Sequence, residues 1–286
     1  MSKTTFSGKN FSFTRTVETK GPHITLLSDH YEDSYMITVL IRGGGKCYIE
    51  GNCYELCSGD IIAVSQEEIH SFHFDQNSPH ERFSIYFSEN IIAPLIDYQP
   101  DLMSIFTSRP LGIGNVFSQK EYANSNISEI LDEFCQISRK YNNTFSPIEQ
   151  ARLHILILGL LFGLYDCCNA RNFSVNCLES NSDIPKICRY INDNLTDDLS
   201  YQSIQKKFYV SRHHLSVLFL QNTGITFTEY VLQKRLNRVS ALVKQGYTIS
   251  SAAEAAGFSN YSNFYKIFVK RKKVSPQKYY SSKKDI

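Results

Sequence analysis

Residues 211–230, SRHHLSVLFLQNTGITFTEY, and residues 260–279, NYSNFYKIFVKRKKVSPQKY, carry one pattern at two places 49 positions apart. Ser211, Leu215, Phe219, Thr226 and Tyr230 recur as Asn260, Phe264, Phe268, Ser275 and Tyr279. A polar cap is followed by apolar residues one and two helical turns on, and then by matching post-helix positions. Ahead of the first copy, Leu199-Ser200 opens a short helix and Phe208-Tyr209-Val210 makes a turn, so the unit reads as a helix-turn-helix. Leu215, Leu218 and Phe219 point inward in this reading, which leaves Arg212, His213, Ser216 and Val217 outward. The second copy buries Phe264, Ile267 and Phe268 and presents Tyr261, Ser262, Asn263, Tyr265 and Lys266. Two copies are too few for a solenoid; they imply two like-built contacts.

Charge says what is contacted. The chain of 286 residues has a net charge of +2, which hides a division. Residues 183–286 hold 17 Lys and Arg against 7 Asp and Glu, and residues 1–182 hold 13 against 21, so +10 stands beside −8. A basic block next to an acidic one points to an anionic polymer as partner of the basic block alone. The exposed face near the start of each second helix is the part that enters a major groove of double-stranded DNA. Residues 227–245 between the modules form an unbroken helical pattern ended by Gly246. Such a rod spans roughly 28 Å, enough to hold two recognition helices near one DNA turn, about 34 Å, apart. Lys270, Arg271, Lys272 and Lys273 read as phosphate contacts.

The first half is strand-like from about residue 24 to residue 87, with β-branched and aromatic runs separated by Gly, Asn and Asp. Residues 35–41, 47–49, 53–56 and 61–64 are the clearest strands, and their close spacing favours a sandwich or barrel over a parallel sheet. Two helices follow. Asn126 with Glu129 opens the first, and Ser146, Pro147 and Glu149 open the second. The second is apolar on more than one side, which makes it a candidate homodimer seam. Residues 169–182 are polar and irregular and read as a linker. The organisation expected is an α+β multidomain chain: a strand barrel over 1–124, a helical dimerisation segment over 125–168, a linker over 169–182 and an all-α DNA-binding domain over 183–286.

The N-terminus, MSKTTFSGKNFSF, lacks an apolar signal core. The longest apolar run, 153–165, falls short of the roughly 20 residues of a spanning helix. A cytoplasmic protein without membrane partners is the expectation. The eight cysteines (47, 53, 57, 135, 167, 168, 177 and 188) lack Cys-x-x-Cys spacing and read as reduced structural thiols rather than a zinc ribbon.

Over residues 184–280 the sequence resembles the AraC-type transcriptional regulators. The resemblance is carried by Leu199-Ser200, Ser211, Leu215, Phe219, Gly224, Phe227, Tyr230, Arg235-Leu236, Ile249, Ala253, Gly257-Phe258, Phe264, Phe268, Pro276 and Tyr279. It implies base contacts from His213, Ser216 and Val217 and from Tyr261, Ser262, Asn263, Tyr265 and Lys266. Gln205, Tyr209, Val217, Lys273 and Tyr280 depart from the family pattern, with Tyr209 and Lys273 where Gly is usual. These departures assign specificity mainly to the second module.

The strand-rich half resembles the cupin-like jelly-roll barrel that many AraC-type regulators use to bind a ligand, on His30, Gly43, Gly51, Tyr54, Leu56, Gly59-Asp60 and His70. A metal cupin would place His, His and Glu where this sequence has His30, Glu32 and Met36, so the third ligand is missing and no metal or other cofactor is expected. His30, Glu32 and His70 are the candidate pocket residues, His70 alternating with Phe72 and Phe74 toward the barrel interior. Taken together the resemblance implies a sequence-specific activator, not an enzyme, with DNA, RNA polymerase, a small-molecule effector and a second copy of itself as partners. The alternatives are a constitutive or partner-regulated DNA-binding protein whose barrel only dimerises, and a metal-dependent cupin enzyme fused to a DNA anchor.

Overall fold

The computed structural model describes residues 2–8, 10–18, 23–26, 34–75, 78–95, 97–98, 100–141, 144–171 and 183–281. It divides into a unit over Met1–Ser180 and a unit over Asn181–Ile286.

In the first unit the strands are β1 (Ser2–Ser7), β2 (Phe11–Glu18), β3 (His23–Leu26), β4 (Tyr35–Arg42), β5 (Gly45–Ile49), β6 (Asn52–Leu56), β7 (Ile61–Val64), β8 (His70–Phe74), β9 (His80–Phe87) and β10 (Val116–Phe117). They form a six-stranded sheet, β1-β2-β9-β4-β7-β10, and a four-stranded sheet, β3-β8-β5-β6. The strand region therefore starts earlier than expected from the sequence. β1 and β2 are rich in Ser and Thr, and the aromatic residues interleaved with them supply the buried face: Phe6 lies 5.0 Å from Phe145 and Phe13 lies 5.5 Å from Phe134.

β4 shows why the large sheet takes its place in the middle. Its first six residues are all buried, because side chains alternate between two covered faces. Tyr35, Ile37 and Val39 join Phe83, Ile85 and the helical residues in one core, while Met36 and Leu40 join Phe72, Phe74, Tyr54 and Ile62 between the sheets. The β5–β6 hairpin turns at Glu50 and Gly51, both with positive φ (51° and 77°), the geometry of a tight two-residue hairpin. Glu50 is buried there and its carboxylate accepts a 2.6 Å hydrogen bond from the Ile69 amide.

After two short 3-10 turns and α1 (Ser104–Thr107) come α2 (Ile127–Arg139) and α3 (Pro147–Ala170). Asn126 does not cap α2 through its side chain, contrary to the sequence signal; the Ser125 hydroxyl accepts from the Ile127 amide instead. Ser146 and Glu149 do form a capping box at the start of α3. α3 has 24 residues, more than the apolar run suggested, and is the one described helix long and apolar enough to cross a membrane by length and composition alone. Leu153, Leu156, Ile157, Leu160, Leu161 and Leu164 are nevertheless buried against the sheet side. The helix runs two residues into the stretch read as linker, and Arg171 ends it with its guanidinium 3.9 Å over the Phe117 ring and 2.8 Å from Glu121.

The second unit is helical: α4 (Ile184–Asp193), α5 (Tyr201–Phe208), α6 (Arg212–Thr223), α7 (Phe227–Lys244), α8 (Ile249–Ala255), α9 (Tyr261–Lys272) and α10 (Pro276–Ser281). Ile184, Ile187, Cys188 and Ile191 bury one face of α4, as their spacing predicts.

Candidate nucleic-acid interface

The two helix-turn-helix modules are α5–α6 and α8–α9, with α7 between them. Every helix start in them is capped by its own sequence. Ser200, Ser211, Thr248 and Asn260 accept from the amides of Ser203, His214, Ser251 and Asn263, and Thr226 caps α7 through Glu229. The cores match too. Leu215 and Phe219 are fully buried, Phe219 lying 5.2 Å from both Phe227 and Tyr230. Phe264 and Phe268 are buried 5.4 Å apart, with Phe268 5.3 Å from Tyr279. Leu218 and Ile267 are half-buried, not fully inward.

A single turn joins the modules. Gly257 has φ +88°, and a Cβ there would lie 2.1 Å from the Leu195 carbonyl. Arg235 of α7 donates to that same carbonyl at 3.0 Å and to the Asp197 carbonyl at 3.1 Å. The turn of the second module is thus seated on the backbone leading into the first, and only glycine fits.

On α6, Arg212, His213 and His214 are exposed while Ser216 and Val217 are half-buried. Tyr201 draws two of these aside: the Arg212 guanidinium lies 4.8 Å from its ring, and the Ser216 hydroxyl donates to its Oη at 3.4 Å. On α9, Tyr261, Ser262, Asn263, Tyr265, Lys266 and Lys270 are exposed. Neither α6 nor α9 contains an Asp or Glu.

The basic run after Lys266 divides. Arg271, read from the sequence as a phosphate contact, is instead paired with Glu229 of α7 and donates to Gln233 at 2.8 Å. Lys272 is half-buried with its Nζ 5.4 Å from the Tyr279 ring centroid. Both sit on the side of α9 that faces α7 and α10, because residues seven and eight positions past Phe264 return to the buried face. Lys270 and Lys273 stay exposed. His214 and Leu220 were missed by the sequence reading; Leu220 is 56 % exposed, and its spacing from Val217 along one face was the available signal.

Of the three candidate pocket residues, His30 and Glu32 lie outside the described residues. His70 is buried on the face that carries Phe72 and Phe74, with its Nδ1 3.0 Å from the Glu68 carbonyl. Burial lowers its pKa. A second polar group shares the interior of the strand domain. Thr16 and Glu18 of β2 pair with Arg82 and His80 of β9, and all four are buried. Arg82 donates to His80 Nε2 at 2.7 Å, His80 lies 3.9 Å from Glu18, and Phe74 stacks 4.0 Å from the His80 ring. Burial lowers the Arg82 pKa while Glu18 opposes it. His70 does not line the described cleft of about 350 Å³ between the Gly43–Gly45 turn and Asp75. Among the described residues no cluster of three or more His, Cys, Asp or Glu is placed to hold a metal.

The sequence matches the AraC-like ligand binding domain over residues 20–157 and a helix-turn-helix domain over residues 204–282. The chain belongs to the AraC-type transcriptional regulators. It is a DNA-binding regulator with an N-terminal domain of the AraC-like ligand-binding kind. Among its relatives is the Msm operon regulatory protein of Streptococcus mutans, 25 % identical over 260 residues, covering 86 % of this chain and 84 % of the relative. The regulatory protein PocR of Salmonella typhimurium is 37 % identical over 101 residues, about a third of each chain (34 % and 33 %). Among solved structures, an apo single-substitution variant of ToxT from Vibrio cholerae aligns over 93 % of this chain and 96 % of that one, with 16 % identity and a TM-score of 0.41. Against the AraC-type pattern, Tyr209 and Lys273, which replace the usual glycines, both adopt left-handed backbone with φ of 54° and 60°. Both positions hold left-handed backbone with side chains that resist it.

Proposed function

We propose that this AraC-type regulator is an activator that sets α6 and α9 into successive major grooves on one face of a promoter duplex, dimerises along α3 and answers to a small-molecule effector in its strand domain. RNA polymerase is its further partner, in the cytoplasm. The observation that carries the reading is the pair of acid-free recognition helices, α6 and α9, in a unit of net charge +10. Carboxylates facing phosphate would cost binding, and a solvated face with no such partner ordinarily mixes both signs. α7, at 18 residues, spans about 27 Å and suits a separation near one turn of DNA. His213, Val217, Tyr261, Ser262, Asn263, Tyr265 and Lys266 are the base-facing set, with Ser216 held at its flank by Tyr201 and Arg212 and Lys270 on phosphates.

Self-association is supported by α3. Ile148, Ile155 and Phe162 recur every seven residues on one stripe and are 69 %, 67 % and 39 % exposed, the repeat that lets two helices pair. For the effector, the buried Glu18, His80 and Arg82 join His70, with His30 and Glu32, as the polar groups of the pocket. The test is selection of bound sequences from a randomised duplex pool with the full chain, followed by footprinting. Two protected major-groove patches one turn apart are expected; protection of a single patch contradicts the paired-reader geometry. A metabolite series read by thermal shift tests effector control separately.

A further inference from the structure

The outward stripes of the two recognition helices are chemically unlike. A helix turns about 100° per residue, so the positions opposite the buried pair Leu215 and Phe219 are His213, Val217 and Gln221, with Leu220 beside them. Opposite Phe264 and Phe268 stand Ser262, Lys266 and Lys270, with Val269 beside them. On α6 the polar neighbours Arg212 and Ser216 are held at the flank by Tyr201. The centre of that stripe is therefore Val217, half-buried, with Leu220, 56 % exposed, beside it and the exposed His213 and Gln221 one turn before and after. On α9 the centre is the exposed ammonium of Lys266, flanked by the exposed amide of Asn263, whose backbone N–H is already taken by Asn260 at 2.8 Å.

The major groove answers these groups differently. The C5-methyl of thymine is its one apolar feature, and an aliphatic side chain set against any other base edge leaves a donor or acceptor dry. Guanine offers the O6 and N7 acceptors that suit an ammonium, and adenine offers the N6–H and N7 pair that suits an amide. We infer that the two half-sites read by one protomer differ in composition: thymine methyls under α6, met by Val217 and Leu220, and guanine with adenine under α9, read by Lys266 and Asn263. The inference rests on the reading of α6 and α9 as base readers.

The test uses the full chain and the duplex it selects from a randomised pool. Each thymine is replaced in turn by uracil, which removes the methyl and keeps the pairing, and each guanine by 7-deazaguanine, which removes N7. Uracil is expected to weaken binding about threefold per contacted position in one half-site only, and 7-deazaguanine about tenfold in the other only. Val217→Ala and Leu220→Ala together should abolish the uracil effect and leave the 7-deazaguanine effect; Lys266→Ala should do the reverse. Because each variant is judged by its own ratio between natural and modified duplex, a modest loss of folded protein does not blur the result. Two selected half-sites of the same sequence, uracil tolerated throughout, or a uracil effect that survives Val217→Ala combined with Leu220→Ala overturns the inference while leaving the chain a DNA reader. Failure to enrich any duplex removes the base-reader reading itself and the inference with it.

Discussion

Lys266 and Arg271 lie five residues apart on α9, and their surroundings give them opposite work. Lys266 is exposed in the middle of the proposed reading face, whereas Arg271 is tied to Glu229 and Gln233 of α7. Lys266→Ala is therefore expected to weaken binding to a cognate fragment about tenfold and Val217→Ala less, measured by fluorescence anisotropy; equal losses would refute the ranking. Arg271→Ala should instead loosen α9 from α7, costing about 0.5 to 1 kcal/mol for this part-exposed pair in denaturant unfolding, and should weaken all sequences alike. In the first unit Glu68 has the opposite character, a carboxylate with no exposed side-chain surface. Burial alone would raise its pKa, but Arg109 at 2.6 Å and the amides of Ser65 and Gly112 outweigh it and hold the pKa below its ordinary 4.5. The sign follows from linkage: with the folded value depressed, the stabilisation is complete above the unfolded pKa and is lost as pH falls through the folded one. Arg109→Ala should cost about 3 to 5 kcal/mol at neutral pH by stranding the buried charge. It should also flatten the acid limb of the stability profile, which thermal unfolding across pH will record.

Helix ends and strand faces differ in how openly the sequence declares them. Caps act through one side chain and an amide two or three residues on, so Ser146, Ser200, Ser211 and Asn260 were legible, and Thr226 and Thr248 cap α7 and α8 in the same way. Asn126 shows the limit, since the right residue at the right spacing leaves its side chain out of the cap. Ser146→Ala should accordingly destabilise the first unit by about 1 kcal/mol and Asn126→Ala by far less, a contrast that calorimetry can read. The modules could be read because their apolar spacing repeats; the commitment of Arg271 could not, because it depends on where α7 lies. β2 and β9 were harder still. Polar residues alternating with apolar ones are read as a wet face, yet here Thr16, Glu18, His80 and Arg82 are buried because a second sheet covers them. Tyr209 and Lys273 were noticed only as departures, and their left-handed φ gives the physical meaning. Tyr209→Gly and Lys273→Gly should each stabilise the second unit by about 1 kcal/mol.

At the scale of the whole chain, the two halves are oppositely charged, and α3 is the element of the first half that carries the proposed pairing of two copies. Its inner face is spent on the sheet through Leu153, Leu156, Ile157, Leu160, Leu161 and Leu164. Its outer stripe leaves Ile148, Ile155 and Phe162 in water at a seven-residue repeat. An exposed apolar stripe on a helix already anchored along its other side has little to gain locally, and a second copy would cover it without repacking either protomer. Phe162→Glu places a charge 39 % exposed in the monomer but buried and unpaired at the seam, so it should cost little folding and much association. The variant is expected to sediment as a monomer at concentrations where the wild-type chain is a dimer. It should keep wild-type affinity for a duplex carrying one site and lose the cooperative gain on a duplex carrying two. A wild-type chain that sediments as a monomer, or a variant that remains dimeric, would place the seam elsewhere on the molecule.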